Sequence, residues 1–440
     1  MKKIQTVRSN LNQKKLNFMS AKNFQLFDQK LIRLSCFLSL TIFLNYFFWS
    51  INSIPILKYL NFYLLLSLIL YFLTSRNFNQ YNFVRIIFIS LLILSLGSVT
   101  TDWDARSVWM FHAKRIFFDD SLYSGFDNYQ PELMNAYPLI APALSATLGK
   151  LVGHWNEIFP KSTNLIVLLP ALLIQSSFLK NYKLNLIWLM FILLFSGRIL
   201  VNGRTDGLVA MYFVTNCILI FNLFLENRLD YGPTKDQKKS NRLFLFITGI
   251  FSGIILTLLK NEGFVLMFLI FFITFFLKII LKKKFKYEEF IFWIIIFVPI
   301  VIWKLLATYN GVYPRILGFD MALHVADTPT NLNFLERIYF RLQEVENFKL
   351  IFSYLILNEK LIFSILIFAF AFLKKFRENK LIFIFILLST ISYYFLLYPI
   401  FLSTAFDFTV QLNSTAHRVL ISIVLPLTFF SIYTFRERRS

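Results

Sequence analysis

The stretch Lys260-Asn-Glu-Gly-Phe264-Val-Leu-Met-Phe-Leu-Ile-Phe-Phe-Ile-Thr-Phe-Phe-Leu-Lys278-Ile-Ile-Leu281-Lys-Lys-Lys-Phe-Lys286 decides the fold. From Phe264 to Leu281 only Lys278 is charged. Crossing a hydrocarbon core of about 30 Å takes about 20 mostly apolar residues in a helix, and this run fits. Its apolar residues are continuous rather than alternating, so a helix is expected and a membrane β-strand is not. The flanks differ: Lys282, Lys283, Lys284 and Lys286 mark a cytoplasmic end, which puts Lys260 and Glu262 at the opposite face.

Similar runs recur along the chain, near Leu34 to Trp49, Ile54 to Phe72, Phe83 to Val99, Thr163 to Leu179, Leu184 to Leu200, Leu208 to Leu225 and Leu243 to Leu259. Beyond the quoted stretch come Phe290 to Leu306, Glu359 to Leu373, Leu381 to Leu397 and Val419 to Tyr433. The composition agrees: 57% of the residues are hydrophobic, 55 are Phe, and the mean hydropathy is +0.62, beyond ordinary soluble usage. The expectation is an all-α, polytopic transmembrane bundle of about 12 spans, one domain over 1–440.

A net charge of +21 on a soluble surface would point to nucleic acid, but here the basic residues fall in short clusters between apolar runs and report topology instead. With the basic arm over 1–30 cytoplasmic, every second connection should be cytoplasmic as well. Those connections hold Arg76 and Arg85; Lys180 and Lys183; Lys235, Lys238, Lys239 and Arg242; Lys282 to Lys286; and Lys374, Lys375 and Arg377. Arg436, Arg438 and Arg439 put the other terminus on the same side. This predicts a multi-pass protein of the inner or plasma membrane with both termini cytoplasmic. The arm lacks a small-residue cleavage pattern and reads as leading into a retained first span. Cys36 and Cys217 both lie inside apolar runs, so neither a disulfide framework nor a zinc set is expected.

Two outward connections are long, 100–162 and 307–358. In the first, the apolar stretch after Tyr137-Pro-Leu-Ile-Ala-Pro142 is short for a span and is expected to lie at or dip into the interface. In the second, Leu335, Ile338, Tyr339, Leu342 and Val345 recur at helical spacing among charges, the pattern of an interfacial amphipathic helix.

Chemistry-bearing residues gather at the outward ends. Thr101-Asp-Trp-Asp-Ala-Arg-Ser-Val-Trp-Met-Phe-His-Ala-Lys-Arg115 follows the third span. Asp102 and Asp104 there lie beside low-dielectric lipid, where desolvation favours a general base; the plain alternative is a solvated acid or a helix cap. Trp103 and Trp109 offer flat faces to a sugar ring, although each alone also reads as the aromatic belt. Arg204 and Asp206 precede the sixth span, Lys260 and Glu262 form a tight turn, and His417-Arg418 opens the last span. Outer cations oppose the positive-inside bias and call for a carboxylate or a lipid phosphate; singly, each could snorkel to headgroups. Together they predict a site for a lipid-linked sugar phosphate, with Asp104 as the base that takes the acceptor proton. Asp102 and Glu262 would support it; Lys114, Arg204, Lys260 and Arg418 would contact phosphate, with Arg115 and Arg315 weaker candidates. Asp102, Asp104, Glu262 or His112 could also hold a divalent cation, Mg or Mn. His154 and His324 are isolated and receive no role, and no Walker loop, dinucleotide fingerprint or zinc spacing occurs.

The pattern resembles the GT-C superfamily of membrane glycosyltransferases, which includes protein mannosyltransferases and the transferases that decorate lipid A. The residues that carry the resemblance are Trp103-Asp104-Ala105, Trp109 and Ala113-Lys114; Tyr137-Pro138 with Pro142; Asp206-Gly207; the Lys260-to-Gly263 turn; and Arg418 with Pro426. The resemblance implies a polyprenyl-phosphate sugar donor, inversion at the anomeric carbon, a site on the non-cytoplasmic face, and the loop Asp as base. It also implies substrate-binding roles for Asp206, Tyr137 and the two Trp residues. Two departures bear on the acceptor: His112 stands where a Lys is expected, and the large soluble C-terminal domain of some relatives has no counterpart in these residues. The expected activity is transfer of one sugar to a glycan, lipid or protein acceptor. The competing readings are a transporter or flippase and an oligosaccharide polymerase or ligase using a lipid diphosphate. A transporter would concentrate polar groups at mid-membrane rather than at the outer ends of the spans.

Overall fold

The computed structural model describes residues 27–123, 137–226, 235–310, 334–404 and 408–436. Within them every regular element is a helix, as expected from the continuous apolar runs. In chain order these are α1 (Gln29–Ser50), α2 (Pro55–Thr74), α3 (Asn82–Gly97), α4 (Phe111–Asp119), α5 (Ile140–Val152), α6 (Ile158–Leu179) and α7 (Tyr182–Val201). Next come α8 (Asp206–Ile220), α9 (Lys235–Leu259), α10 (Asn261–Ile280), α11 (Tyr287–Tyr309), α12 (Phe334–Leu342) and α13 (Val345–Ile356). Then α14 (Glu359–Leu402), α15 (Phe408–Val419) and α16 (Ile421–Thr434) complete the series. Eleven of the described helical segments are long and apolar enough to cross a membrane.

Local chemistry sets the starts. Asp28 accepts from the amide of Lys30 at 2.8 Å, Asn181 from Lys183 at 2.8 Å, and Asn358 from Lys360 at 3.1 Å, each satisfying an amide that the helix leaves open. Pro55 opens α2, where its missing N–H costs nothing.

Helices α6 and α8 are enclosed on all sides, and α2, α3 and α11 form the periphery with about a third of their length buried. The peripheral helices turn Leu60, Ile93 and Ile294 outward, an inversion of the soluble pattern and the one expected of lipid-facing surface. Polar side chains inside the bundle find partners there. Gln175 of α6 donates to the Met211 carbonyl at 2.9 Å and accepts from the Trp188 indole at 2.9 Å. Asn216 donates to Tyr212 at 2.8 Å and Ser252 at 3.2 Å.

Three features refine the sequence reading. Helix α14 is two helices that meet at a break at Asn379 (φ −127°, ψ 25°), matching the expected spans Glu359 to Leu373 and Leu381 to Leu397, and they fold back on one another, with the rings of Phe368 and Phe383 5.3 Å apart. The apolar stretch expected to lie at or dip into the interface is α5, and it packs against α1, α2, α4 and α6. Trp49 donates to Thr147 there at 2.9 Å, and the hydroxyls of Ser145 and Thr163 meet at 2.7 Å. The amphipathic segment of the second long loop forms α12, with Leu335 and Tyr339 exposed and Arg337 and Arg341 buried. Arg337 donates to Ser403 at 2.9 Å, and Arg341 to Leu402 at 3.0 Å and Thr404 at 2.7 Å, so the two arginines close carbonyls that the end of α14 leaves open.

Candidate active site

Three turns and the last turn of α15 bring the charged residues together. The first turn follows α3. The buried amine of Lys161, on α6, donates to the backbone carbonyl of Ser98 and to its hydroxyl at 2.9 Å, which fixes where the chain leaves the bundle. The chain then passes Asp102 and Asp104 into a wide π-helical turn, Ala105–Met110, before α4. Such turns occur often at functional sites because the extra residue re-aims side chains.

The second turn joins α7 to α8. Gly203 has φ +92°, a conformation that L residues rarely adopt, and a Cβ there would sit 3.1 Å from the Lys161 stem and 3.4 Å from Ala105. Arg204 emerges from this turn to donate to Asp102 at 2.7 Å, and Asn202 hydrogen-bonds the other oxygen of the same carboxylate. The third turn is Lys260-to-Gly263. A Cβ on Gly263 would fall 1.9 Å from the Leu256 carbonyl oxygen, so only glycine allows α9 and α10 to meet this closely.

From the turns grows one network. Asp206, in the first turn of α8, is favoured there by the positive end of the helix dipole. It receives the Lys260 amine at 3.0 Å and lies 3.5 Å from the Arg418 guanidinium. Lys260 also pairs with Glu262 at 2.9 Å. Arg418 pairs with Asp104 and donates to Thr415 at 3.2 Å. Its Nε, like that of Arg204, has no hydrogen-bond partner among the described residues. Burial alone would lower the Lys260 pKa, but the carboxylates of Asp206 and Glu262 outweigh it and hold the ammonium well above the ordinary lysine range. The aromatic wall is Tyr137 stacked on Trp109, with ring centroids 5.6 Å apart and planes 14° apart, and the Lys260 amine lies 5.7 Å from the Tyr137 centroid. Burial first, then the Glu262 charge, pushes the Tyr137 phenol up, so it stays protonated and available as a donor.

Compared with protein-family models, curated proteins and solved structures, the chain finds no match.

The geometry itself sorts the sequence candidates. Asp102, Asp104, Arg204, Asp206, Lys260, Glu262, Arg418, Trp109 and Tyr137 come together around this network. Trp103 is mostly exposed, and Lys114 lies on the exposed face of α4. Arg115 turns inward and donates to the Leu122 carbonyl at 2.7 Å, closing the end of α4 instead of reaching the cluster. His112 is buried against Phe111, and Arg315 and His324 fall outside the described residues. Among the described residues no three His, Cys, Asp or Glu side chains gather in a way that could hold a metal, so Asp102, Asp104, Glu262 and His112 do not form one donor set. The carboxylates of Asp102, Asp104 and Glu262 each face a cation instead.

Three contributors were missed from the sequence. Asn202 orients Asp102, Lys161 fixes the first turn, and Lys304 of α11 donates to Asn261 at 2.9 Å beside the third turn. The two lysines had a readable signal: each stands at an end of an apolar run that the charge pattern assigns to the outward face, against the positive-inside bias.

Chemically, three cations (Arg204, Lys260, Arg418) hold four carboxylates (Asp102, Asp104, Asp206, Glu262). Asp206, with a side chain 7% exposed, is the enclosed hub. Asp104, at 28%, and Glu262, at 25%, are the more accessible of the four acids.

Proposed function

We propose that the chain is an inverting, GT-C-like glycosyltransferase that moves a sugar from a polyprenyl-phosphate donor to a hydroxyl-bearing acceptor at the outer face of the inner or plasma membrane. The observation that carries this reading is the pairing of Asp104, the most accessible acid of the cluster, with Arg418, a buried cation shared with Asp206. In the proposed step the acceptor oxygen attacks the anomeric carbon from the face opposite the phosphate. The C–O bond to phosphate breaks and its electrons leave on the phosphate, while the acceptor proton passes to Asp104. Phosphate leaves without needing a proton, so one carboxylate suffices, unlike in glycoside hydrolysis.

Arg418 links the two halves of this chemistry. A phosphate arriving at Arg418 competes with Asp104 for the guanidinium, which neutralises the leaving group and releases the carboxylate as a base. Lys260 and Arg204 add positive charge beside it, and the Trp109–Tyr137 pair offers a platform for the sugar ring. Lys114 and Trp103, facing outward, are left to headgroups and the interface. No step is routed through a divalent cation.

The proposed topology has twelve crossings, with α14 counted twice across Asn379, and both termini cytoplasmic. The alternating basic connections and the clustering of the acidic turns at one end of the bundle support it. The test is Asp104→Asn in cells, with envelope glycans and glycolipids compared by mass spectrometry. Loss of one sugar, with normal expression and insertion, is the expected result. Retained transfer removes Asp104 as base, and unchanged glycans alongside altered solute uptake, with or without the gene, point to a transporter.

A further inference from the structure

A cavity of about 390 Å³ opens between α13, the start of α14 and α15. Its wall includes Tyr354, Asn358, Glu359, Lys360, Asn413 and His417. His417 precedes Arg418, and Arg418, Arg204 and Lys360 all act on His417 electrostatically, so cavity and ion-paired cluster are neighbours. None of these six wall residues takes part in the network described above.

The chemistry of the wall discriminates between occupants. Leu357, Leu412 and Ala416 give the wall an apolar part, but an acyl chain would also set the polar groups of Asn358, Glu359, Asn413 and His417 against hydrocarbon. A phosphate would favour cations alone, whereas Glu359 sets a carboxylate beside Lys360. The Lys360 amine is already engaged by the Phe195 carbonyl at 2.9 Å, and the Asn358 oxygen by the amides that open α14. What remains is a mixed set. The Asn358 amide donates, Glu359 accepts, Asn413 does both, and Tyr354 adds a ring face with a hydroxyl. A polyhydroxylated ring matches it, because each hydroxyl donates once and accepts, and its C–H face packs on an aromatic side chain. The volume falls within the range of about 300–1,000 Å³ usual for small-ligand sites.

We infer that this cavity is a saccharide subsite that presents a glycan hydroxyl to the cluster, which makes the acceptor a glycan; the acceptor role rests on the glycosyltransferase reading. The test is saturation-transfer NMR on the full chain in lipid nanodiscs, with the methyl glycosides of glucose, galactose and mannose as probes and inorganic phosphate as competitor. At least one glycoside should give signal, phosphate should not displace it, and Glu359→Gln and Asn413→Ala should each weaken binding roughly fivefold, as for one lost hydrogen bond. Absence of signal from all three glycosides, displacement by phosphate, or wild-type binding by both folded variants overturns the proposal. Should one variant fail to fold, the other decides. Sugar release to water from a polyprenyl-phosphate sugar separates the two readings. Release without glycoside binding sinks the cavity alone; glycoside binding without release sinks the transferase and keeps the saccharide site.

Discussion

Asp206 and Asp104 show how two carboxylates in one network divide the work. Asp206 is enclosed and compensates two buried cations, so Asp206→Asn leaves both Lys260 and Arg418 short of negative charge. Breaking a buried pair from one side costs about 3–5 kcal/mol, and the expected outcome is a large drop in thermal stability of the purified protein, well beyond that of Asp104→Asn. Equal stability of the two variants would deny Asp206 its role as hub. Lys260 adds a pH dependence of definite sign. Its folded pKa is raised, so its stabilising contribution is fully present below the unfolded value of about 10.4 and is lost only as pH rises through the higher folded value. The stability difference between wild type and Lys260→Met should therefore stay constant from about pH 6 to about pH 9 in calorimetric scans and shrink above it, since the unfolded lysine begins to lose its proton only as pH approaches about 10.4. At this scale the sequence was informative about which residues matter, because cations at outward helix ends are costly without partners. It did not reveal the pairings: Asp104 meets Arg418 across 314 positions, and no local spacing encodes that.

Elements explain why those pairings hold. The Lys260-to-Gly263 turn works because Gly263 lets the chain pass the Leu256 carbonyl, and a methyl group has no room there. Gly263→Ala should open the junction of α9 and α10, displace Lys260 and destabilise by about 3 kcal/mol, read as a fall in melting temperature together with lost activity. Gly97→Ala is the control, since a Cβ at Gly97 meets nothing within 4 Å, and it should leave both unchanged. Periodicity made the helices legible but not always their surroundings. The spacing of Leu335, Ile338, Tyr339 and Leu342 announces two faces on α12, yet nothing in it says that Arg337 and Arg341 would turn inward to the open carbonyls at the end of α14. Likewise, the length of α5 says nothing of its neighbours, whereas its small residues Ala141, Ala143, Ser145 and Ala146 let four helices pack closely on it.

At the scale of the whole molecule, the proposed topology puts the cluster on one side of a membrane, and that placement is open to direct test. Alternating basic connections were readable because lysine and arginine are expensive to carry across a bilayer. The same rule makes the cations of the cluster conspicuous and, in the proposed topology, sets them opposite Lys282 to Lys286. The two native cysteines, Cys36 and Cys217, are buried, so the chain offers little background to a membrane-impermeant maleimide. A Glu346→Cys variant, at an exposed position on α13, should label in intact cells. A Lys284→Cys variant, in the basic connection between α10 and α11, should label only after the membrane is permeabilised. The reverse pattern would put the Asp104–Arg418 pair on the cytoplasmic face, where the proposed donor, displayed in the outer leaflet, could not reach it.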